Sequence, residues 1–203
     1  MLIDRIEPST AIQSTQMERL SLLPATIDLT GAELELVPQE RREFRLRESL
    51  EPLRSQFDII LIDSPPSLGL LTINGLVAAD QALIPLQCEY YALEGLSQLL
   101  KTINMVKATL NPSLDVAGIV LTMADQRTNL AQEVIAEAQN YFKERVFQSI
   151  IPRSIRLSES PGFGKPILLY DHESIGAQRY RALTQELLGR LMPVEDQRSV
   201  TTP

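Results

Sequence analysis

The stretch Phe57-Asp-Ile-Ile-Leu-Ile-Asp63-Ser-Pro-Pro66 decides the fold. Four consecutive aliphatics, Ile59 to Ile62, are bounded by Asp58 on one side and by Asp63 and two prolines on the other. An unbroken apolar run of this length suits a strand buried on both faces, as in a parallel sheet. Working outward, similar runs recur at Ala82-Leu-Ile-Pro-Leu86, at Val116-Ala-Gly-Ile-Val-Leu-Thr122 and at Val146-Phe-Gln-Ser-Ile-Ile151, and an earlier one, Leu20-Ser-Leu-Leu23, stops at Pro24. Helical spacing fills the gaps. Leu96, Leu99, Leu100, Ile103 and Val106 fall on one face of an amphipathic helix. Asn129, with Gln132 three residues on, reads as the start of a second helix whose apolar stripe is Leu130, Val134, Ala138 and Tyr141. A last helix runs from about Ser174, with Tyr180, Leu183, Leu187 and Leu191 facing inward. Strands alternating with helices predict an α/β fold with a mainly parallel sheet.

Bulk properties narrow the class. The 203 residues fit one domain, expected over residues 1–192, with residues 193–203 as a disordered polar tail. A net charge of −7 argues against a protein that coats nucleic acid with its whole surface but leaves room for a local basic face. The single cysteine, Cys88, forms no internal disulfide and points to a reducing cytoplasm. No apolar run reaches the roughly 20 residues of a membrane helix, and Met1-Leu-Ile-Asp-Arg-Ile-Glu-Pro8 is not a signal peptide.

Asp63 is the first candidate for chemistry. A carboxylate ending a buried strand of an α/β sheet lies where ligands and Mg²⁺ are held, the metal often through a bound water. An ordinary strand-ending carboxylate is the competing reading. The second candidate is basic. From Asn140 to Tyr170, Lys143, Arg145, Arg153, Arg156 and Lys165 stand against Glu144 and Glu159, a local net of +3. Arginines on loops can grip phosphates without reading sequence, although solvated surface charge or a carboxylate partner is the more ordinary explanation of such a cluster. The mixed run Arg41-Arg-Glu-Phe-Arg-Leu-Arg-Glu48, with Glu43 and Arg47 four apart, reads as a solvated helix face. His172 and Cys88 lack partner motifs.

Beyond these residues, Asp63-Ser-Pro-Pro-Ser-Leu-Gly-Leu-Leu-Thr-Ile-Asn74 resembles the Walker B segment of ParA/Soj partitioning ATPases. The resemblance continues through Ile84-Pro-Leu-Gln-Cys-Glu-Tyr-Tyr-Ala-Leu-Glu-Gly95, Leu121-Thr-Met-Ala-Asp-Gln-Arg-Thr-Asn129, Ile151-Pro-Arg-Ser-Ile-Arg-Leu-Ser-Glu-Ser-Pro161 and Gly164-Lys-Pro-Ile-Leu-Leu-Tyr-Asp171. It implies a three-layer P-loop NTPase-like domain, ATP and Mg²⁺ as cofactors, and Asp63 as the Mg²⁺-water ligand. It further implies Met123 and Pro152 beside the adenine, with Arg127, Arg156 and Lys165 on DNA. The implied partners are a ParB-like protein, non-specific nucleoid DNA, and a second copy or a full-length ParA, with no membrane.

The family's deviant Walker A loop, Lys-Gly-Gly-Val-Gly-Lys-Thr, has no counterpart among the 203 residues. The one Gly-Lys pair, Gly164-Lys165, would need glycine at 159 and Ser or Thr at 166, where the chain has Glu159 and Pro166. The chain therefore aligns with the family from a point after the P-loop strand, and this polypeptide is expected not to hydrolyse ATP alone. Alternatives are a non-enzymatic module that associates with full-length relatives, and a true start upstream that restores the loop. One cysteine excludes an iron–sulfur relative, and Pro193–Pro203 lacks the amphipathic helix of a membrane-targeted relative such as MinD.

Overall fold

The computed structural model describes residues 2–3, 6–65 and 67–191, so the tail expected at 193–203 lies outside the described residues. The chain divides into two compact units, one of residues 1–81 and 99–115, the other of residues 82–98 and 116–203.

In the first unit, β1 (Gln13–Ser14) pairs antiparallel with β2 (Ser21–Leu22), placing Gln13 opposite Leu22. The run at 20–23 thus makes a two-residue hairpin strand with exposed side chains, short enough to need no buried neighbour. Helices α1 (Leu29–Leu36), α2 (Arg45–Leu50) and α3 (Leu70–Ala78) follow. Leu50, Leu53 and Ala78 form the buried cluster here, with Leu23, Leu46, Phe57 and Ile62 packed on it. Asn74 locks α3 to the preceding helical segment. Its amide donates to the Arg42 carbonyl at 2.8 Å and its oxygen accepts the Leu46 N–H at 3.0 Å. The ion pairs of the mixed-charge run are Arg41–Glu48 and Arg42–Glu43, each at 2.9 Å, rather than the expected Glu43–Arg47. Arg41 adopts a left-handed φ of 53°, which breaks the helix before α2 and changes which side chains meet.

The stretch at 59–62 departs from expectation. It forms no regular element, and no strand among the described residues pairs with it. Only Ile62 reaches the cluster, while Leu61 is 82 % exposed and Ile59 and Ile60 are also exposed. A strand buried on both faces needs a hydrogen-bonded neighbour on each edge and a layer on each side, and the described neighbours of this segment cover one side alone.

In the second unit, β3 (Gln81–Gln87) is the hydrogen-bonded neighbour of β4 (Asp115–Thr122). The intervening helix α4 (Ala92–Thr109) supplies the long crossover that a parallel pair requires. The unit boundary falls within α4, between Gln98 and Leu99. Val146 and Pro152 make parallel bridges to Ile119 and Ala124. The 146–151 run therefore lies beside β4 as an irregular strand. Its bonds are Phe147 N–H to the Ile119 carbonyl and Ile151 N–H to that of Leu121, both at 2.9 Å. The result is α/β with a parallel sheet, as the alternation of runs predicts. Helix α5 (Asn129–Phe142) is capped by Thr128, whose hydroxyl accepts the Ala131 N–H at 3.3 Å. The expected cap at Asn129 is off by one, and Gln132 instead donates to the Gln126 carbonyl. The buried face of α5 is Ala131, Val134 and Ala138, with Leu130 and Tyr141 outside. Short helices α6 (Ile155–Glu159) and α7 (Ile167–Tyr170) precede α8 (Ile175–Leu191), which Ser174 caps through the Ala177 N–H. Val120, Phe147, Ile151 and Leu183 make the core of this unit, with Leu157 and Leu187 packed against it and Tyr180 exposed.

Candidate functional site

Asp63 belongs to the first unit. It lies in the irregular segment seven residues before α3 and is exposed, with no hydrogen bond or ion pair among the described residues. Gly75 of α3 positions this segment. A Cβ there would stand 2.9 Å from the Ser64 hydroxyl and 3.6 Å from Ile62, so the segment passes close to the helix and the Ser64 side chain would have to turn aside for a larger residue. Glu33 of α1 accepts the Leu70 N–H at 2.5 Å, satisfying one free donor of the α3 N-terminus with a carboxylate that also complements the helix dipole. Among the described residues no three His, Cys, Asp or Glu side chains cluster as a metal cage. A lone, uncommitted carboxylate suits Mg²⁺, which takes one or two protein carboxylates and fills its octahedron with water and phosphate oxygens. It does not suit Zn²⁺.

The remaining predicted residues belong to the second unit. Met123 follows β4 and adopts φ +54°, a left-handed conformation uncommon for a side chain of its size and found at functional sites more often than elsewhere. Ala124 then joins the neighbouring segment through two backbone bonds, its own N–H to the Ile151 carbonyl at 3.2 Å and the Arg153 N–H to its carbonyl at 3.1 Å. This ladder brings Met123 and Pro152 to the same end of adjacent strands. Asp125, Arg127 and Thr128 form the turn into α5. Asp125 accepts Arg127 Nε at 2.8 Å and Nη2 at 2.7 Å, a bidentate pair. The Arg127 guanidinium and backbone N–H hold the Asp125 carboxyl down to about 2, and the pair raises the Arg127 pKa in turn.

Arg156 leaves α6 toward two carboxylates, Glu159 at 3.2 Å and Asp171 at 3.4 Å. Tyr170 donates its hydroxyl to Glu159 at 3.0 Å, and its ring stacks on Phe163 with centroids 5.0 Å apart. Hydrogen bonding with Tyr170 and Glu159 raises the Arg156 pKa. Lys165 is exposed and forms no ion pair among the described residues. A cavity of about 420 Å³ opens at the start of the 146–151 segment beside Lys143, Phe147 and Arg190; of the basic cluster it holds Lys143, and it holds none of Asp63, Met123, Arg127, Pro152, Arg156 and Lys165. Asp125, Glu159, Asp171 and Tyr170 were not singled out from the sequence as site residues. The spacing of Asp125 to Arg127 and of Arg156 to Glu159 was the available signal.

Among the described residues no helix is long and apolar enough to cross a membrane. Residues 1–116 match a family model described as an AAA domain. Over 189 residues the chain is 58 % identical to the chromosome partitioning protein ParA of Myxococcus xanthus, covering 93 % of this chain and 67 % of that protein. It is 52 % identical over 187 residues to the sporulation initiation inhibitor protein Soj of Bacillus subtilis, covering 92 % and 74 %. A solved structure of cobyrinic acid a,c-diamide synthase from Mycobacterium smegmatis, with bound ATP analog and magnesium, superposes with a TM-score of 0.78 at 37 % identity over 94 % of this chain and 70 % of that one. The likeness to these partitioning proteins runs through almost the whole described chain, including the turn that carries Arg127 and the helix that carries Arg156, and the chain belongs to the ParA/Soj family of partitioning ATPases, with their P-loop NTPase-like fold.

Proposed function

We propose that the chain is a partitioning protein that grips DNA without regard to sequence, in concert with ATP, Mg²⁺ and a ParB-like partner. The 58 % identity to the Myxococcus xanthus ParA over 93 % of this chain carries this reading. Asp63 is the Mg²⁺ ligand, through a water. Met123 and Pro152 flank the adenine, which their placement at the ends of adjacent strands supports, because α/β sheets bind ligands there. Arg127, Arg156 and Lys165 hold phosphates. Association with a second copy or a full-length ParA accompanies DNA binding, and the protein works in the cytoplasm on the nucleoid. No Walker A sequence stands among these 203 residues, and the proposal extends to their not turning over ATP by themselves.

Fluorescence anisotropy with labelled random-sequence duplexes, from low to moderate NaCl, tests the DNA reading. Arg127→Ala, Arg156→Ala and Lys165→Ala should each weaken binding equally on unrelated sequences, and each should flatten the plot of log K against log salt by up to about 0.9. Unchanged affinity in all three would overturn it. Phosphate release by the purified chain above a buffer blank would overturn the assignment of inactivity.

A further inference from the structure

The two arginines read as phosphate contacts are already occupied. Arg127 meets Asp125 through Nε and Nη2, the planar fork with which a guanidinium takes a phosphate. Arg156 meets two carboxylates, Glu159 and Asp171, and Tyr170 steadies Glu159 by its hydroxyl. Arg127 is thus paired with one carboxylate and Arg156 with two, so that neither guanidinium offers an uncompensated charge to a phosphate. Both arginines are more than half exposed, so DNA can reach them, and the carboxylates compete for the same donors.

We infer that Asp125, Glu159 and Asp171 are internal competitors for DNA phosphate, holding Arg127 and Arg156 in a neutralised state that phosphates must displace. The inference rests on the reading of these arginines as DNA contacts. The competition is shallow, because exposed ion pairs are weak and screened by salt. A shallow gate lets modest rearrangement of the 154–171 segment switch DNA affinity, since that one segment carries Arg156 together with both of its carboxylates. Lys165, free of ion pairs among the described residues, supplies the residual attraction.

The test uses the full chain and a labelled random-sequence duplex, followed by anisotropy against NaCl. Asp125→Asn, and separately the Glu159→Gln, Asp171→Asn pair, should tighten binding about two- to fivefold at low salt. Each should steepen the salt dependence by about 0.9 for the guanidinium released. Glu137→Gln on the exposed face of α5 controls for a general change of charge and should do less. The gain from Asp125→Asn must vanish when Arg127 is alanine, which isolates the pairwise coupling. Asp171→Asn alone serves should the paired substitution unfold α6, as far-UV circular dichroism would reveal. Equal or weaker binding by the neutralised variants, no binding by any protein, or a gain that persists without Arg127 would overturn the inference. If Arg127→Ala and Arg156→Ala weaken binding while neutralisation does nothing, the competition fails and the DNA reading survives. If those alanine variants bind as the parent does, the DNA reading itself fails.

Discussion

The guanidinium of Arg190, near the end of α8, lies against Gly118 in the middle of β4. Its Nη1 donates to the Ala117 carbonyl at 3.0 Å, its Nη2 donates to that of Val146 at 3.2 Å, and it covers the Phe147 ring at 3.7 Å. This one side chain ties the last helix to two neighbouring strands, and only the absence of a side chain at 118 leaves room for it.

Gly118→Ala should therefore be strongly destabilising. The residue has φ +153°, and a Cβ would come within 2.5 Å of the Phe147 ring and 2.7 Å of the Arg145 carbonyl, neither of which can yield cheaply. Backbone strain and overpacking together should cost roughly 3 kcal/mol or more. A urea titration followed by circular dichroism checks it, and a loss under about 1 kcal/mol would contradict the packing described.

Glu186, one turn before Arg190, accepts the backbone N–H groups of Gln148 at 2.9 Å and Ser149 at 3.1 Å. Burial alone would raise its pKa, but those two donations and Arg190 outweigh it and hold the carboxyl below its ordinary value. Glu186→Ala strands both donors, at a cost of about 1–3 kcal/mol. Because the folded pKa is depressed, the ionic part of this stabilisation is complete above about 4.5 and fades as pH falls through the folded value. Denaturation curves of both proteins should converge in acid. A difference that grows on acidification would be inconsistent with the network.

Asp125 should titrate with a midpoint near 2 in carboxyl-detected NMR. Arg127→Ala should return it toward 3.8, because the guanidinium is the main cause of the shift. An ordinary midpoint in the parent chain would show that the bidentate pair does not persist in solution.

Asn74 is fully buried and serves both the Arg42 carbonyl and the Leu46 N–H. Asn74→Ala leaves a buried donor and a buried acceptor unpaired, for a loss of about 2–4 kcal/mol. Asn74→Asp, which would bury a carboxylate against the Arg42 and Leu70 carbonyls that the amide now donates to, should be at least as destabilising at neutral pH in the same urea titration.

Leu61, 82 % exposed beside exposed Ile59 and Ile60, gives an unpaired aliphatic stretch of high β-propensity. Leu61→Lys should slow light-scattering aggregation of the chain at tens of micromolar, with little change in its urea midpoint. Equal aggregation rates would mean that the segment is covered in solution.

The alternation of apolar runs and helical spacings made the α/β class readable, and β3, β4, α4, α5 and α8 stand where their patterns place them, because burial of one face writes a period into the residues themselves. The family was legible for the same local reason, in contiguous motifs around Asp63, Arg127 and Arg156. What the sequence left open were matters of neighbourhood. It marked Ile59–Ile62 as a two-sided strand, yet burial on both faces depends on what pairs with each edge, and the run carries no record of its partners. It counted five basic charges against two acidic ones between Asn140 and Tyr170 as a positive patch, but a tally cannot tell which carboxylate faces which guanidinium. Tertiary structure decided that Asp171, outside that window, and Asp125, in a different turn, hold the arginines. Charge type and hydrophobic period are properties of the chain, whereas the sign of a local field depends on distances that only folding sets.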